Sequence, residues 1–151
     1  MDYVDRKALL ALMRNGRVTW AELGERLGLS APAAAERARR LEEEGAIRGY
    51  AAVVDPAKLG FPLTAYVFVS IDDQRKRAGL LRLAGRHRQV VECHHVAGED
   101  DYLLKVRCRG TQDLEQFLSR TLKDQLGVAR TRTTIVLSTS KEQADLPVES
   151  F

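Results

Sequence analysis

The hydrophobic period of this chain changes once, near residue 60, and that change restricts the fold to two dissimilar units. Before it, apolar residues recur every three or four positions with glycine between the runs; after it, short runs of strand period take turns with helical ones. A chain of 151 residues has room for two small domains and none for a large enzyme. The expected division is a first domain at 1–50, a short strand and linker at 51–62, a second domain at 63–141 and a tail at 142–151.

Three helices account for the first stretch. The first is expected over residues 5–15, with Leu9, Leu10 and Met13 inward and Gly16 just past its end. The second opens on Thr19-Trp20-Ala21-Glu22, a capping box in which the hydroxyl and the carboxylate satisfy orphan amides reciprocally, and its inward face is Trp20, Leu23 and Leu27. Gly28-Leu29-Ser30 then breaks the chain: Gly28 tolerates positive φ, Leu29 fills the corner and Ser30 caps the third helix, with Pro32 in its first turn. That helix buries Ala34, Ala38 and Leu41 and ends by Gly45, with Ile47 as an anchor. Small Gly24 lets the second and third helices cross closely.

Two short helices joined by a tight glycine turn make a helix-turn-helix, here winged-helix-like, whose second helix lies in the major groove. Ser30 and Ala31 open that helix, and its outer face offers Pro32, Ala33, Glu36, Arg37 and Arg40. Arg37 and Arg40 stand three residues apart, on adjacent turns, within reach of phosphates or guanine edges. Arg48 and Tyr50 follow as contacts to the flanking backbone. The competing reading is a plain three-helix bundle with a solvated charged face. The net charge of +3, from 24 basic and 21 acidic residues, permits an anionic partner without requiring one, so the case for DNA rests on local arrangement. Glu42 to Glu44 oppose the helix dipole and would repel DNA, so they are expected to face away.

The second domain reads as a strand at 63–71, a helix at 74–86 with Leu80, Leu83 and Ala84 inward, and a strand at 90–97. The acidic turn Gly98-Glu99-Asp100-Asp101 leads to a strand at 102–109, a helix with Leu114, Phe117, Leu118, Thr121, Leu122 and Leu126 on one face, and a last strand at 128–140. The order βαββαβ is that of a ferredoxin-like α+β domain, an antiparallel sheet with both helices on one face. On the first strand Ala65, Val67, Val69 and Ile71 point one way and Tyr66 and Phe68 the other, so the helix-free face is apolar too. Such a face is usually covered by another subunit, and a homodimer is expected.

Leu29-Ser30, Arg37-Ala38, Leu41-Glu42, Gly45-Ala46-Ile47 and Gly49-Tyr50, followed by Asp55-Pro56 and Leu59-Gly60, resemble the Lrp/AsnC, or feast/famine, family of regulators. Residues 96–106, from Val96-Ala97-Gly98 to Lys105-Val106, resemble that family's loop between the second and third strands of its amino-acid-sensing domain. The resemblance implies a dimer, often built into octamers, that presents paired helix-turn-helix heads to double-stranded DNA and binds a small amino acid at clefts between sensor domains. It places the effector at Ala97, Gly98, Glu99, Asp100, Asp101 and Tyr102. Ala97 stands where many members have Thr, and Asp100 where an aromatic often stands. Asp101 is the expected carboxylate for an effector's ammonium, with Thr131 and Thr133 on the last strand as hydroxyl partners. Without the family, the loop reads as a tight turn with solvated acids.

No cofactor, metal or catalytic residue is expected. Cys93 and Cys108 read as reduced, buried thiols. Strand alternation lets Cys93 and His95 converge but sends His94 away, which with Cys108 falls short of four zinc ligands. His87 reads as a surface or capping residue at a helix end. Phosphate-cradling and hydrolase motifs are absent. Two alternatives stand beside the regulator: a siroheme-decarboxylase-like enzyme using His94 and His95, and an architectural DNA-binding protein indifferent to effectors. With no apolar run of membrane length and acids at the start of the chain, a cytoplasmic protein without a membrane partner is expected.

Overall fold

The structure is a computed structural model that describes residues 1–143 and 146–148; the remainder of the expected tail lies outside the described residues. The chain divides into two compact units, one of Met1–Val53 with Lys141–Phe151 and one of Val54–Ser140.

The first unit holds α1 (Tyr3–Arg14), α2 (Trp20–Leu27) and α3 (Ala31–Glu43). Asp2 and Asp5 form a capping box at the start of α1, each carboxylate accepting from the other's backbone N–H at 2.8 Å. The Thr19–Glu22 box starts α2 as expected, and Gly28 ends it at φ +68°. Gly24 is required for a reason sharper than helix crossing: a Cβ there would lie 2.7 Å from the Leu29 carbonyl oxygen, inside the turn itself. Ser30 caps α3 through the Ala33 N–H at 3.4 Å.

The core is Ala8, Ala11, Leu12, Val18, Leu23, Ala34, Ala38 and Leu41. Two expectations fail here. Leu9, Leu10 and Met13 are only half-buried, because α1 turns Asp5, Ala8 and Leu12 inward instead. Trp20 is 43 % exposed although its phase is right. A helical side chain covers the turn preceding its own Cα, and Trp20, first in its helix, has no such turn.

The expected short strand around 47–54 does not form, and with it goes any wing: no strand lies between α3 and β1. An extended segment needs a neighbour to take its hydrogen bonds, and this one finds none among the described residues. Its apolar alternates meet no core, with Val53 97 % and Val54 57 % exposed. Ile47 does anchor the segment's start, packing on the helical core while its N–H donates to Leu41 O at 3.0 Å.

The second unit comprises β1 (Leu63–Ser70), α4 (Gln74–Arg86), β2 (Val90–His95), β3 (Tyr102–Cys108), α5 (Thr111–Gln116) and β4 (Arg130–Ile135). The sheet runs β2-β3-β1-β4 with all neighbours antiparallel, the expected ferredoxin-like arrangement. Ala65, Val67 and Val69 are fully buried beneath the helices with Leu80, Leu104, Val106, Leu114, Phe117 and Leu122. Burial of each large member contributes roughly 1.5–3 kcal/mol.

Two details depart from expectation. From Phe117 to Gln125 the chain after α5 is π-helical, and its five-residue step brings Phe117 and Leu122 to the core together. β4 ends at Ile135: its register with β1 runs from Ala65↔Ile135 to Ser70↔Arg130, and one further bond, Val136 N–H to Thr64 O at 2.9 Å, follows; Val128 is buried before the strand begins.

Candidate DNA interface and effector loop

Helix α3 places its predicted contact residues unequally. At about 100° per residue, Pro32, Glu36 and Arg39 lie opposite the buried line Ala34–Ala38–Leu41, while Arg37 is near its flank. Pro32, Ala33, Glu36 and Arg40 are exposed, and Ser30 is exposed at the helix start with Ala31 half-buried behind it. Leu29, Ala33, Glu36, Arg37 and Arg40 line a shallow open depression of about 300 Å³. Arg48 is exposed beyond the helix. Tyr50 is half-exposed and donates its hydroxyl to Glu42 at 2.9 Å; burial, then the Glu42 carboxylate, pushes its pKa up to about 12.

Every arginine of α3 is held by a carboxylate. Arg37 donates to Asp5 at 2.6 Å and Asp2 at 2.7 Å, and Arg40 reaches Asp5 at 2.8 Å with Glu44 at 3.7 Å. Arg39 bridges Glu36 and Glu43 along the helix. Asp5 is 2 % exposed. Burial pushes its carboxyl up, but the Asp2 backbone N–H and the Arg37 guanidinium outweigh this and hold it below the usual range. Asp2 is held down to about 2, first by the Asp5 N–H and then by Arg37.

Sequence reading missed Asp2, Asp5 and Arg39. The spacing Asp2-x-x-Asp5 carries a capping signal that was legible; that Asp5 would also face α3 was not, since it depends on the rotation of α1. Glu42, Glu43 and Glu44, expected to face away from DNA, lie against Tyr50, Arg39 and Arg40, so Glu42 and Glu44 stand beside two of the expected contact residues.

In the second unit the loop residues divide by depth. Ala97, Gly98 and Glu99 are exposed, while Asp100 and Tyr102 are buried. Asp100 accepts from Ser70 Oγ at 2.8 Å and Arg132 at 2.9 Å, with Arg130 at 3.7 Å, and Arg132 lies over the Phe68 ring at 4.0 Å. The Arg132 guanidinium, then the Ser70 hydroxyl, holds its pKa down. This is an acid where the resemblance led one to look for an aromatic, and it ties the loop to β4.

Asp101 also has a structural occupation. One carboxylate oxygen accepts from Ile71 N–H at 2.6 Å, its own N–H donates to Val69 O, and its carbonyl accepts from Val96 N–H. Tyr102 accepts from Arg77 Nε at 2.7 Å and stacks on His95. Thr131 and Thr133 pair with Val69 and Val67 on β1, on the helix side, half-buried. Arg132, which lies between them, shares the helix-free face with Phe68.

The cysteine and histidine segment disperses. His94 sits beside Glu92 at 3.2 Å on the helix-free face, opposite Leu103. Cys108 is buried, and that burial, then Asp113, pushes its pKa up to about 11; Cys93 is raised by burial as well. His87 packs edge-on against Phe117. No helix among the described residues is long and apolar enough to cross a membrane.

A glycine-turned helix pair with a capped, exposed second helix, joined in one chain to a βαββαβ sheet, defines a DNA-binding regulator with a separate sensor domain. Residues 1–42 match the AsnC-type helix-turn-helix domain and residues 64–146 the Lrp/AsnC ligand-binding domain. The chain belongs to the Lrp/AsnC family of transcriptional regulators. It is 39 % identical over 141 residues to the HTH-type transcriptional regulator LrpA of Mycobacterium tuberculosis, covering 92 % of this chain and 91 % of that one. It is 35 % identical over 144 residues to the proline dehydrogenase transcriptional activator of Rhizobium radiobacter, covering 94 % and 92 %. A transcriptional regulator from Neisseria meningitidis, solved in complex with L-methionine, superposes with a TM-score of 0.92 at 32 % identity over 97 % of this chain and 96 % of that one.

Proposed function

We propose that the chain regulates transcription by reading a specific duplex sequence with residues 30–40 and responds to an amino acid bound at the loop 97–102. The carrying observation is the Ser30-capped start of α3, beyond which Ala33, Glu36, Arg37 and Arg40 line one solvent-facing depression. In this reading Ser30 and Ala31 present backbone amides to phosphate at the helix N-terminus, and Arg37 and Arg40 contact bases or backbone from the poise that Asp5 gives them. Arg48 and Tyr50 meet the flanking strand.

The effector reading rests on two relatives whose structures hold L-methionine and on the loop's chemistry. Gly98 and Glu99 are open to solvent, and one oxygen of Asp101 remains for an ammonium, while Thr131 and Thr133 stand on β4, across β1 from β3. Half-buried Tyr66, Phe68 and Leu103 on the helix-free sheet face support a homodimer as the unit that doubles the reading heads, with assembly to octamers beyond it. The division at 1–50, 51–62 and 63–141, a cytoplasmic location and the absence of an enzymatic role belong to the same reading.

The test is a binding titration on an operator recovered by selection from random duplex, with and without L-methionine. Arg40→Ala is expected to weaken operator binding by about 1–3 kcal/mol, and the preferred site to be a pseudo-palindrome with half-sites about one or more helical turns apart. An asymmetric single half-site, or full affinity in Arg37→Ala and Arg40→Ala alike, refutes the assignment of α3.

A further inference from the structure

Helix α4 carries a cationic ridge whose arginines keep different company from those of α3. Leu80 is its fully buried anchor, and at about 100° per residue Arg75, Arg82 and Arg86 fall within roughly 40° of one another on the opposite side. All three are exposed, as is Arg88 just past the helix end. Between them stand Ala78 and Gly85, small and exposed, with no atom within 4 Å of a Cβ built at Gly85. Arg75 reaches Asp73 only at 4.0 Å, and among the described residues Arg82, Arg86 and Arg88 form no ion pair.

We propose that this ridge is a second, sequence-independent contact for the backbone of duplex DNA. Three features select that occupant. At 1.5 Å rise per residue the guanidinium stems stand about 10 Å and 6 Å apart along the axis, the range of a few phosphates on a strand that presents one per roughly 3.4 Å. Guanidinium forks match phosphate oxygens, and the small residues between them leave room for a backbone to approach. A protein partner would want an apolar or aromatic centre, and the ridge has none but Leu81 at its side. The helix-turn-helix unit supplies the duplex, so a contact too weak to act alone gains from the high effective concentration of DNA already held.

The experiment uses the full chain and two duplexes of about 200 base pairs, one with a selected operator and one without, titrated between 50 and 300 mM salt. The variant R75Q/R82Q/R86Q is expected to lower the slope of log K against log salt by ~2.7 for each subunit whose ridge is engaged, at about 0.9 per phosphate contact. The ratio of operator to non-operator affinity should stay unchanged, because phosphate contacts carry no sequence information. R75K/R82K/R86K should restore the slope, and R120Q, which removes an exposed arginine elsewhere, should leave it unaltered. An unchanged slope in the glutamine variant hands the ridge to an acidic protein and overturns the proposal. So does a lysine variant that loses as much as the glutamine one, or a collapsed affinity ratio.

Discussion

Replacing Asp5 tests whether helix α3 is held by charge or only by packing. Asp5 is 2 % exposed, accepts from Arg37 and Arg40, and closes the α1 capping box. Removing one member of a buried ion pair costs about 3–5 kcal/mol when the survivor stays buried and unpaired. Here the survivors escape that fate: Arg37 is 23 % exposed and keeps Asp2, and Arg40 is 48 % exposed and keeps Glu44. The loss should therefore sit near 2 kcal/mol for Asp5→Ala, which also loses the cap. Asp5→Asn keeps an acceptor oxygen for the Asp2 N–H and should lose about half as much. With a urea m-value near 1–2 kcal/mol/M for so small a unit, the midpoint of its unfolding should fall by about 1–2 M in the alanine variant.

The pH dependence has a definite sign. Because Asp5 and Asp2 are held below the ordinary carboxylate range, their stabilisation is complete above the unfolded pKa of about 3.9 and is lost as pH falls through the folded values, about 2 for Asp2. The gap between wild type and Asp5→Ala should therefore narrow from pH 5 to pH 2. Urea midpoints by far-UV circular dichroism at fixed protein concentration measure both effects. A change under 0.5 kcal/mol for Asp5→Ala at pH 7, or a gap independent of pH, would falsify the charge argument.

Other outcomes follow from single contacts. Gly24→Ala should destabilise the first unit by about 1–3 kcal/mol, since its methyl meets backbone oxygen in the turn rather than a side chain that can move; a neutral result by the same urea titration would contradict the turn geometry. Ser30→Ala should cost only about 0.5–1 kcal/mol, the low part of the capping range, because its hydrogen bond is long at 3.4 Å; a loss above 2 kcal/mol would show a second role. Leu104→Ala, at a fully buried position on β3, should cost about 2–5 kcal/mol, and calorimetry should assign the loss to the sensor domain's transition. Cys108, at a pKa of about 11, should resist a thiolate-selective reagent at pH 8 in the folded protein and react at once in guanidinium, whereas rapid native labelling would refute its burial.

What the residues made legible was whatever depends on spacing within one element. The Thr19–Glu22 box, the positive φ at Gly28, the Ser30 cap and the bounds of α4 all follow from neighbours a few positions apart, and all stand in the structure. The chain order of strands and helices followed from the alternation of periods, and the pairing β2-β3-β1-β4 came with the structure. What escaped depends on partners distant in sequence. The rotation of α1 answers to Arg37 and Arg40 more than thirty residues away. The segment 47–54 alternates loosely but has no neighbour to pair with. The π-helical step after Phe117 departs from expectation: the sequence puts Phe117 and Leu122 on one broad apolar face as if in an α-helix, and their five-residue separation does not by itself reveal the wider turn. At the loop, the acids of residues 98–101 were visible as charge, but their division of labour was not: Asp100 anchors to Ser70 and Arg132, and Asp101 to Ile71.

The pairing of the α3 arginines with carboxylates changes the ionic accounting of DNA binding. A guanidinium that moves from Asp5 or Glu44 to a phosphate displaces a counterion from the duplex, yet it leaves behind a carboxylate that needs a new companion. Near neutral pH that companion is a cation from solution, so the net number of ions released per contact made by α3 falls below the number of phosphates engaged. At acid pH a proton can take its place, because Asp2 and Asp5 lose the part of their lowering that Arg37 supplies once it departs, while the capping-box N–H groups go on holding both down. Association through this helix is then accompanied by proton uptake, and its calorimetric enthalpy varies with the ionisation enthalpy of the buffer.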